Sequence, residues 1–196
     1  MLLFLLLNFL TNSDNYLVMD LILLLAQSFW FIAPAYATNA FPPLARGKIP
    51  IDCGKTFCGK RIFGNGKTLE GTIAGIAFGI IIGSIQIYFQ SSIPAVIDGV
   101  ALNLAVMTFP IIILLSIGAL CGDIIGSFIK RRINIRRGES APLLDQLGFL
   151  IFAFIFASLI YSISIFIIIA LIILTPVIHL IANIVGYVAK VKSEPW

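Results

Sequence analysis

Charge is what this chain has least of. Only 11% of its 196 residues are Asp, Glu, Lys or Arg, while 60% are hydrophobic and the mean hydropathy is +1.07. A soluble domain carries about a quarter charged residues, so the chain reads as a membrane protein with no nucleic-acid partner. Histidine is nearly absent: His179 stands alone in an apolar stretch, which leaves no candidate for a histidine general base near the charged segments. Cysteine is sparse as well. Cys53, Cys58 and Cys121 make no disulfide framework, and the Cys53–Cys58 spacing has no second pair to complete a zinc site. The leading MLLFLLLNFL lacks a basic flank and is followed by TNSDN instead of a small-residue cleavage site, so no cleaved signal peptide is expected. Those first residues are too few to span a bilayer and read as a lead-in or interfacial segment.

What the chain does have is long uncharged runs. The expected fold is all-α, a polytopic membrane protein built as a single domain over residues 1–196, with five transmembrane helices at about 16–38, 70–90, 99–132, 143–162 and 165–189. The first is expected to end near Ala37, where PAYATNAFPP is broken by proline. The run Gln146–Ala189 would measure about 66 Å as one helix, twice a hydrocarbon core of about 30 Å; it must turn back, near Tyr161–Ser164. Pro110 and Pro176 are expected to kink the third and fifth helices.

The 13 Lys and Arg residues fall in three segments: six between the first and second helices (Arg46 to Lys67), five between the third and fourth (Lys130, Arg131, Arg132, Arg136, Arg137), and Lys190 and Lys192 after the fifth. Five spans put all three on one face, which the positive-inside rule makes cytoplasmic, with the N-terminus outside, the C-terminus cytoplasmic and a polar cavity facing the cytoplasm. Glycines recur every fourth residue at 71, 75, 79 and 83 and again at 118, 122 and 126. Such stripes let backbones approach closely; the second and third helices are expected to pack there, and a homodimer contact is the alternative.

Chemistry concentrates in Cys121–Gln146 and Asp52–Gly71. Asp123, Ser127, Lys130 and Arg131 fall at i, i+4, i+7 and i+8, one face of a helix. An acid at membrane depth is costly and faces a partner or a watery cavity. Asp123 and Asp145, completed by phosphate oxygens and water, suit Mg²⁺; the structural alternative is ion pairing with neighbouring cations. Ser127 is a ligand, a phosphate donor, or a hydroxyl satisfied by its own helix. In DCGKTFCGKRIFGNGKTLEG, cations alternate with glycines, a composition suited to wrapping an anion, though a purely topogenic basic loop is the plain alternative. It is not a Walker A motif, because Arg61 stands where that pattern needs glycine and no strand precedes it. A nucleophile that is already an anion, such as a phosphate monoester, needs no base; positioning and electrostatics suffice.

With these residues in view, PAYATN (Pro34–Asn39), GKRIFGNGKTLEGT (Gly59–Thr72), GDIIGSFIKRR (Gly122–Arg132) and PLLDQ (Pro142–Gln146) resemble the CDP-archaeol synthase family, relatives of the CDP-diacylglycerol synthases. Ser127, Lys130 and Arg131 match the S-x-x-K-R element of the wider cytidylyltransferase group, while Gly148 stands where the family pattern has a second acid. The resemblance implies transfer of a cytidylyl group from CTP to an isoprenoid ether lipid phosphate in the membrane, with Mg²⁺ on Asp123 and Asp145. It implies catalytic roles for Ser127, Lys130 and Arg131 and CTP binding by Lys60, Arg61, Asn65, Lys67, Thr68 and Asn39. The rival readings are an anion channel or transporter with a cationic vestibule, which lacks the expected internal repeat, a CDP-alcohol phosphotransferase, whose aspartate run is missing, and a scaffold subunit, which leaves the carboxylates unexplained.

Overall fold

The computed structural model describes residues 2–190 apart from 98, 137, 138, 140 and 142, with side chains from residue 18 onward, residue 97 excepted. The predicted contributions of Arg137, Pro142 and Lys192 lie outside the described residues. Five α-helices carry the described chain: α1 (Leu2–Ala40), α2 (Leu69–Phe89), α3 (Phe109–Arg132), α4 (Leu144–Ala157) and α5 (Ile165–Val188). Two short hairpins interrupt them, β1 (Thr56–Phe57) with β2 (Lys60–Arg61), and β3 (Val96–Ile97) with β4 (Val100–Ala101). Four helical stretches are long and apolar enough to cross a membrane; α4, at 14 residues, is about 21 Å long and falls short alone.

Helix α1 continues through Pro34 to Ala40, past the break expected there. Proline has no N–H to give the carbonyl one turn back, here that of Trp30. Gln86 of α2 supplies the missing donor, its Nε2 lying 2.6 Å from Trp30 O. A buried glutamine from a neighbouring helix thus repairs the gap that proline opens, as membrane helices commonly require.

Helix α3 begins ten residues later than expected. Residues 102–108 have no regular structure, although Leu102, Ala105 and Met107 are buried. Irregular backbone inside an apolar bundle needs partners for its polar groups. Gln27 Nε2 donates to Leu102 O and Trp30 Nε1 to Ala105 O, each at 2.9 Å, while Gln90 accepts from Met107 N and donates to Met107 O. Pro110 therefore sits in the first turn of α3, where its missing N–H costs nothing, and produces no internal kink.

The α2 glycine stripe meets the expected partner in part, and the α3 stripe meets a different one. On α2, a Cβ at Gly75 would lie 2.7 Å from Thr38 O, one at Gly79 would lie 2.0 Å from Thr38 Oγ1 and 2.5 Å from Ser116 Oγ, and one at Gly83 would lie 2.5 Å from Ile112; the α2 stripe therefore packs on α3, as expected, and also on α1. On α3, Cβ atoms at Gly118 and Gly122 would lie 2.5 Å from Phe152 O and 2.3 Å from Gly148 O, so this stripe packs on α4. Small residues drive such contacts in lipid, where burial of apolar area gives no net gain. Helix α3 is central, in contact with α1, α2 and α4, and α5 closes the bundle against α1 and α4. Phe31, Ile32, Ile112, Leu115, Leu150 and Leu171 are fully buried between them.

The loop from α1 to α2 is closed at its base: Ile51 N donates to Lys67 O and Leu69 N to Ile49 O. Glu70 accepts from Lys48 N and Ile49 N, and Thr68 caps α2 by accepting from Gly71 N. Both Cys-Gly pairs make tight turns with two left-handed residues, Cys53-Gly54 and Cys58-Gly59. At the centre is Asp52, whose side chain is fully buried. It pairs with Arg61 at 2.5 Å and accepts from the backbone N–H groups of Gly54, Phe63 and Gly64. The Arg61 hydrogen bond, aided by those amides and opposed by burial, holds the Asp52 carboxyl well below the usual carboxylate range.

Two expectations follow from this packing. Gly122→Ala must push two helix backbones apart and should destabilise the detergent-solubilised protein by about 1–3 kcal/mol, whereas Gly148→Ala, with Gly122 O 3.5 Å from its added Cβ, should leave the melting temperature nearly unchanged. Because Asp52 has a depressed pKa, its contribution is present above its ordinary value near 3.8 and is lost only as pH falls through the lower folded value. Amide exchange at Phe63 and Gly64 should thus stay slow from neutrality down to about pH 4 and rise roughly tenfold in Asp52→Asn. Equal exchange in the two proteins would remove Asp52 from the centre of the loop.

Candidate active site

The C-terminal end of α3 sets the geometry. Asn134 takes a left-handed conformation and Ile135 N bonds back to Lys130 O, ending the helix after a last turn of Lys130, Arg131 and Arg132. Cations there complement the negative end of the helix dipole. Arg132 turns onto the β1–β2 hairpin: it donates to the carbonyls of Phe57, Lys60 (3.2 Å) and Arg61 (2.6 Å), with its guanidinium over the rings of Phe57 and Phe128. Lys60 Nζ returns a bond to Arg132 O at 3.1 Å, satisfying an orphan carbonyl of the helix end. The first basic loop is thereby fastened to the end of α3.

That fastening, with the α3–α4 contact, gathers the predicted acids and lysines. Lys67 Nζ lies 2.5 Å from Asp123 Oδ2, and Lys130 Nζ lies 2.7 Å from Asp145 Oδ1. Asp145, in the first turn of α4, also accepts from Ala141 N at 3.0 Å. Beside these pairs is a cavity of about 150 Å³ lined by Lys67, Ser127, Lys130 and Arg131 with the backbone of Gly64 and Gly66. A second cleft of about 350 Å³ adjoins it, sharing Gly64 and Arg131 and adding Lys60, Arg61, Asn65 and Arg136. Arg131 faces both, and its Nε is buried without a hydrogen-bond partner.

Four predicted residues have further structural engagements. Arg61 lines the larger cleft but is paired with Asp52. Thr68 is the cap of α2 and lines neither cavity. Asn39 lies elsewhere, in a mostly apolar cleft of about 370 Å³ between α1 and α5 that also holds His179 and Asn183; α1 runs on past the expected break and carries it there. Ser127 Oγ donates to Asp123 O at 3.0 Å, the bond within its own helix that was the structural alternative. In this arrangement its lone pairs, not its proton, are offered to the cavity.

Asp52, Glu70 and Arg132 organise the site without having been singled out. Asp52 precedes the first Cys-Gly turn, a position where a side-chain acceptor commonly bonds the backbone two residues on, which is the signal available in sequence. Arg132 carried no signal beyond its charge.

The arrangement gathers cations around two clefts beside two carboxylates. Among the described residues no three His, Cys, Asp or Glu side chains converge as a ready-made metal site. Two hard oxygen donors do fit Mg²⁺, an ion that keeps several waters and takes its other ligands from substrate phosphates.

Residues 18–196 match the CarS-like family, described as CDP-archaeol synthase. CDP-archaeol synthase of Methanococcus aeolicus is 45% identical over 91% of this chain and 100% of its own length. Those of Pyrococcus abyssi and Methanocaldococcus jannaschii are 44% and 42% identical, covering 87% and 88% of this chain and 97% and 98% of their own. A solved structure described as giving structural insight into an intramembrane enzyme for archaeal membrane lipids biosynthesis has a TM-score of 0.66 at 33% identity, over 80% of this chain and 92% of that one. With the family match spanning nearly the whole sequence and these relatives covered almost end to end, the chain belongs to the CDP-archaeol synthase family.

Proposed function

We infer that this chain is a CTP-dependent cytidylyltransferase that converts 2,3-bis-O-(geranylgeranyl)-sn-glycerol 1-phosphate and CTP to CDP-archaeol and pyrophosphate. The observation that carries the reading is the meeting of Lys67–Asp123 and Lys130–Asp145 around one cavity beside Arg131, at the basic end of the bundle. An oxygen of the lipid phosphate forms a bond to the α-phosphorus of CTP as the bond from that phosphorus to pyrophosphate breaks, the electron pair leaving with the pyrophosphate. The nucleophile is already an anion, which accounts for a site with no histidine. Lys60, Arg61, Asn65 and Arg136, in the larger cleft, suit the triphosphate; Lys130 and Arg131, in the smaller, suit the lipid phosphate and the α-phosphate. Asp123 and Asp145 would hold Mg²⁺, which supplies neutralisation of charge on the transferring group when bound. Family membership gives the channel reading no support.

The membrane topology follows the same logic. Helix α3 ends and α4 starts at the basic end, and α5 finishes beside the end of α1. Helix α4 must therefore carry the chain away from that end and α5 bring it back, giving five crossings, with α4 using its flanking residues to reach across. The basic end is cytoplasmic by the positive-inside rule and the N-terminus outside.

Purified protein in detergent, given labelled CTP, Mg²⁺ and the geranylgeranyl ether lipid phosphate, should move label into the organic phase. Asp123→Asn and Asp145→Asn should each fold and lose roughly a hundredfold or more of that turnover, since a metal contributes several kcal/mol of charge stabilisation. Full activity in either variant would remove that carboxylate from the metal site, and neither labelling nor saturable CTP binding in the wild type would overturn the enzyme.

A further inference from the structure

Both proposed metal ligands already have a cation. The ammonium groups of Lys67 and Lys130 lie 2.5 Å and 2.7 Å from one oxygen each of Asp123 and Asp145. The lysines line the smaller cavity; the two aspartates do not. Each ammonium therefore occupies one oxygen of its carboxylate while facing the cavity where phosphate would enter. A divalent cation binding alone would have to displace both ammonium groups from the carboxylates, leaving two ammonium groups without counter-ions. A polyphosphate reverses this balance, because it offers both lysines new acceptors on the cavity side and brings charge that the metal must neutralise.

We propose that Lys67 and Lys130 occupy the metal's place in the nucleotide-free protein, so that a divalent cation binds only together with a triphosphate, which draws the two ammonium groups off Asp123 and Asp145. The inference rests on the metal reading of those two acids. It gives the lysines a double role: placeholder cations on the carboxylates before substrate arrives, and phosphate ligands after. The two pairs join separate elements, the basic loop to α3 and α3 to α4, while Arg132 and Lys60 keep the loop fastened to the end of α3 through the exchange.

The test uses Mn²⁺ as the probe, its free fraction read by electron paramagnetic resonance and its enzyme-bound complexes by water-proton relaxation. Wild-type protein in detergent should bind Mn²⁺ at least tenfold more weakly alone than with CTP. Lys67→Gln and Lys130→Gln should each bind Mn²⁺ without nucleotide at least tenfold more tightly than wild type, and adding Asp123→Asn to Lys67→Gln should abolish that gain. Wild type binding Mn²⁺ alone as tightly as with CTP would overturn the placeholder role while leaving the metal site standing, and this comparison needs no variant to fold. Folded lysine variants that bind Mn²⁺ alone no better than wild type would overturn it as well. No Mn²⁺ binding by any protein, with or without CTP, would bring down the metal reading and this inference with it.

Discussion

The site depends on how closely α3 approaches α4. With Gly118 and Gly122 facing the backbone of Phe152 and Gly148, the two helices touch main chain to main chain. Only at that separation does a lysine in the last turn of α3 reach a carboxylate in the first turn of α4, the Lys130–Asp145 pair. The contact needs glycine on the α3 side: a Cβ at Gly122 would lie 2.3 Å from Gly148 O, while one at Gly148 would meet Gly122 O at an ordinary 3.5 Å. In lipid, apolar side chains gain little from meeting one another instead of solvent tails, so polar satisfaction and close backbone packing hold the arrangement together. Gln86, Gln90, Gln27 and Trp30 serve the first; the glycines serve the second.

Much of this was legible in sequence, because the signals were of kinds that survive folding. Hydropathy marked a membrane protein, and the spacing of cations put them at one end. The motif residues Lys67, Asp123, Lys130 and Asp145 do meet, in pairs. What escaped had its cause far along the chain. The helix runs on through Pro34 with its orphaned carbonyl, that of Trp30, satisfied by a glutamine 56 positions further on. Residues 102–108 run without regular structure inside the bundle, yet an apolar buried segment and an apolar helix have the same composition, and the donors that make the segment tolerable are as distant as Gln27. A glycine stripe announces close approach without naming its partner, and so α3 turned its stripe to α4 and not to α2. The loop was read for its cations, whereas its architecture hangs on one acid, Asp52, hidden among them.

Among the described residues, the three ion pairs of the basic end divide by burial into two kinds. Asp52 has a side chain with no exposure, and three backbone amides in addition to Arg61. Parting that pair would strand a buried carboxylate, a change that costs several kcal/mol. Lys67–Asp123 and Lys130–Asp145 keep 16–29% of their side-chain surface exposed. Water can follow either partner out, and such half-exposed pairs contribute on the order of 1 kcal/mol or less. A triphosphate meeting several cations offsets a cost of that size easily. The loop can therefore be held rigid by Asp52 and Arg61 while the two lysines beside it remain free to change partners, and a site made of few charges in an apolar bundle can still exchange ions without unfolding its walls.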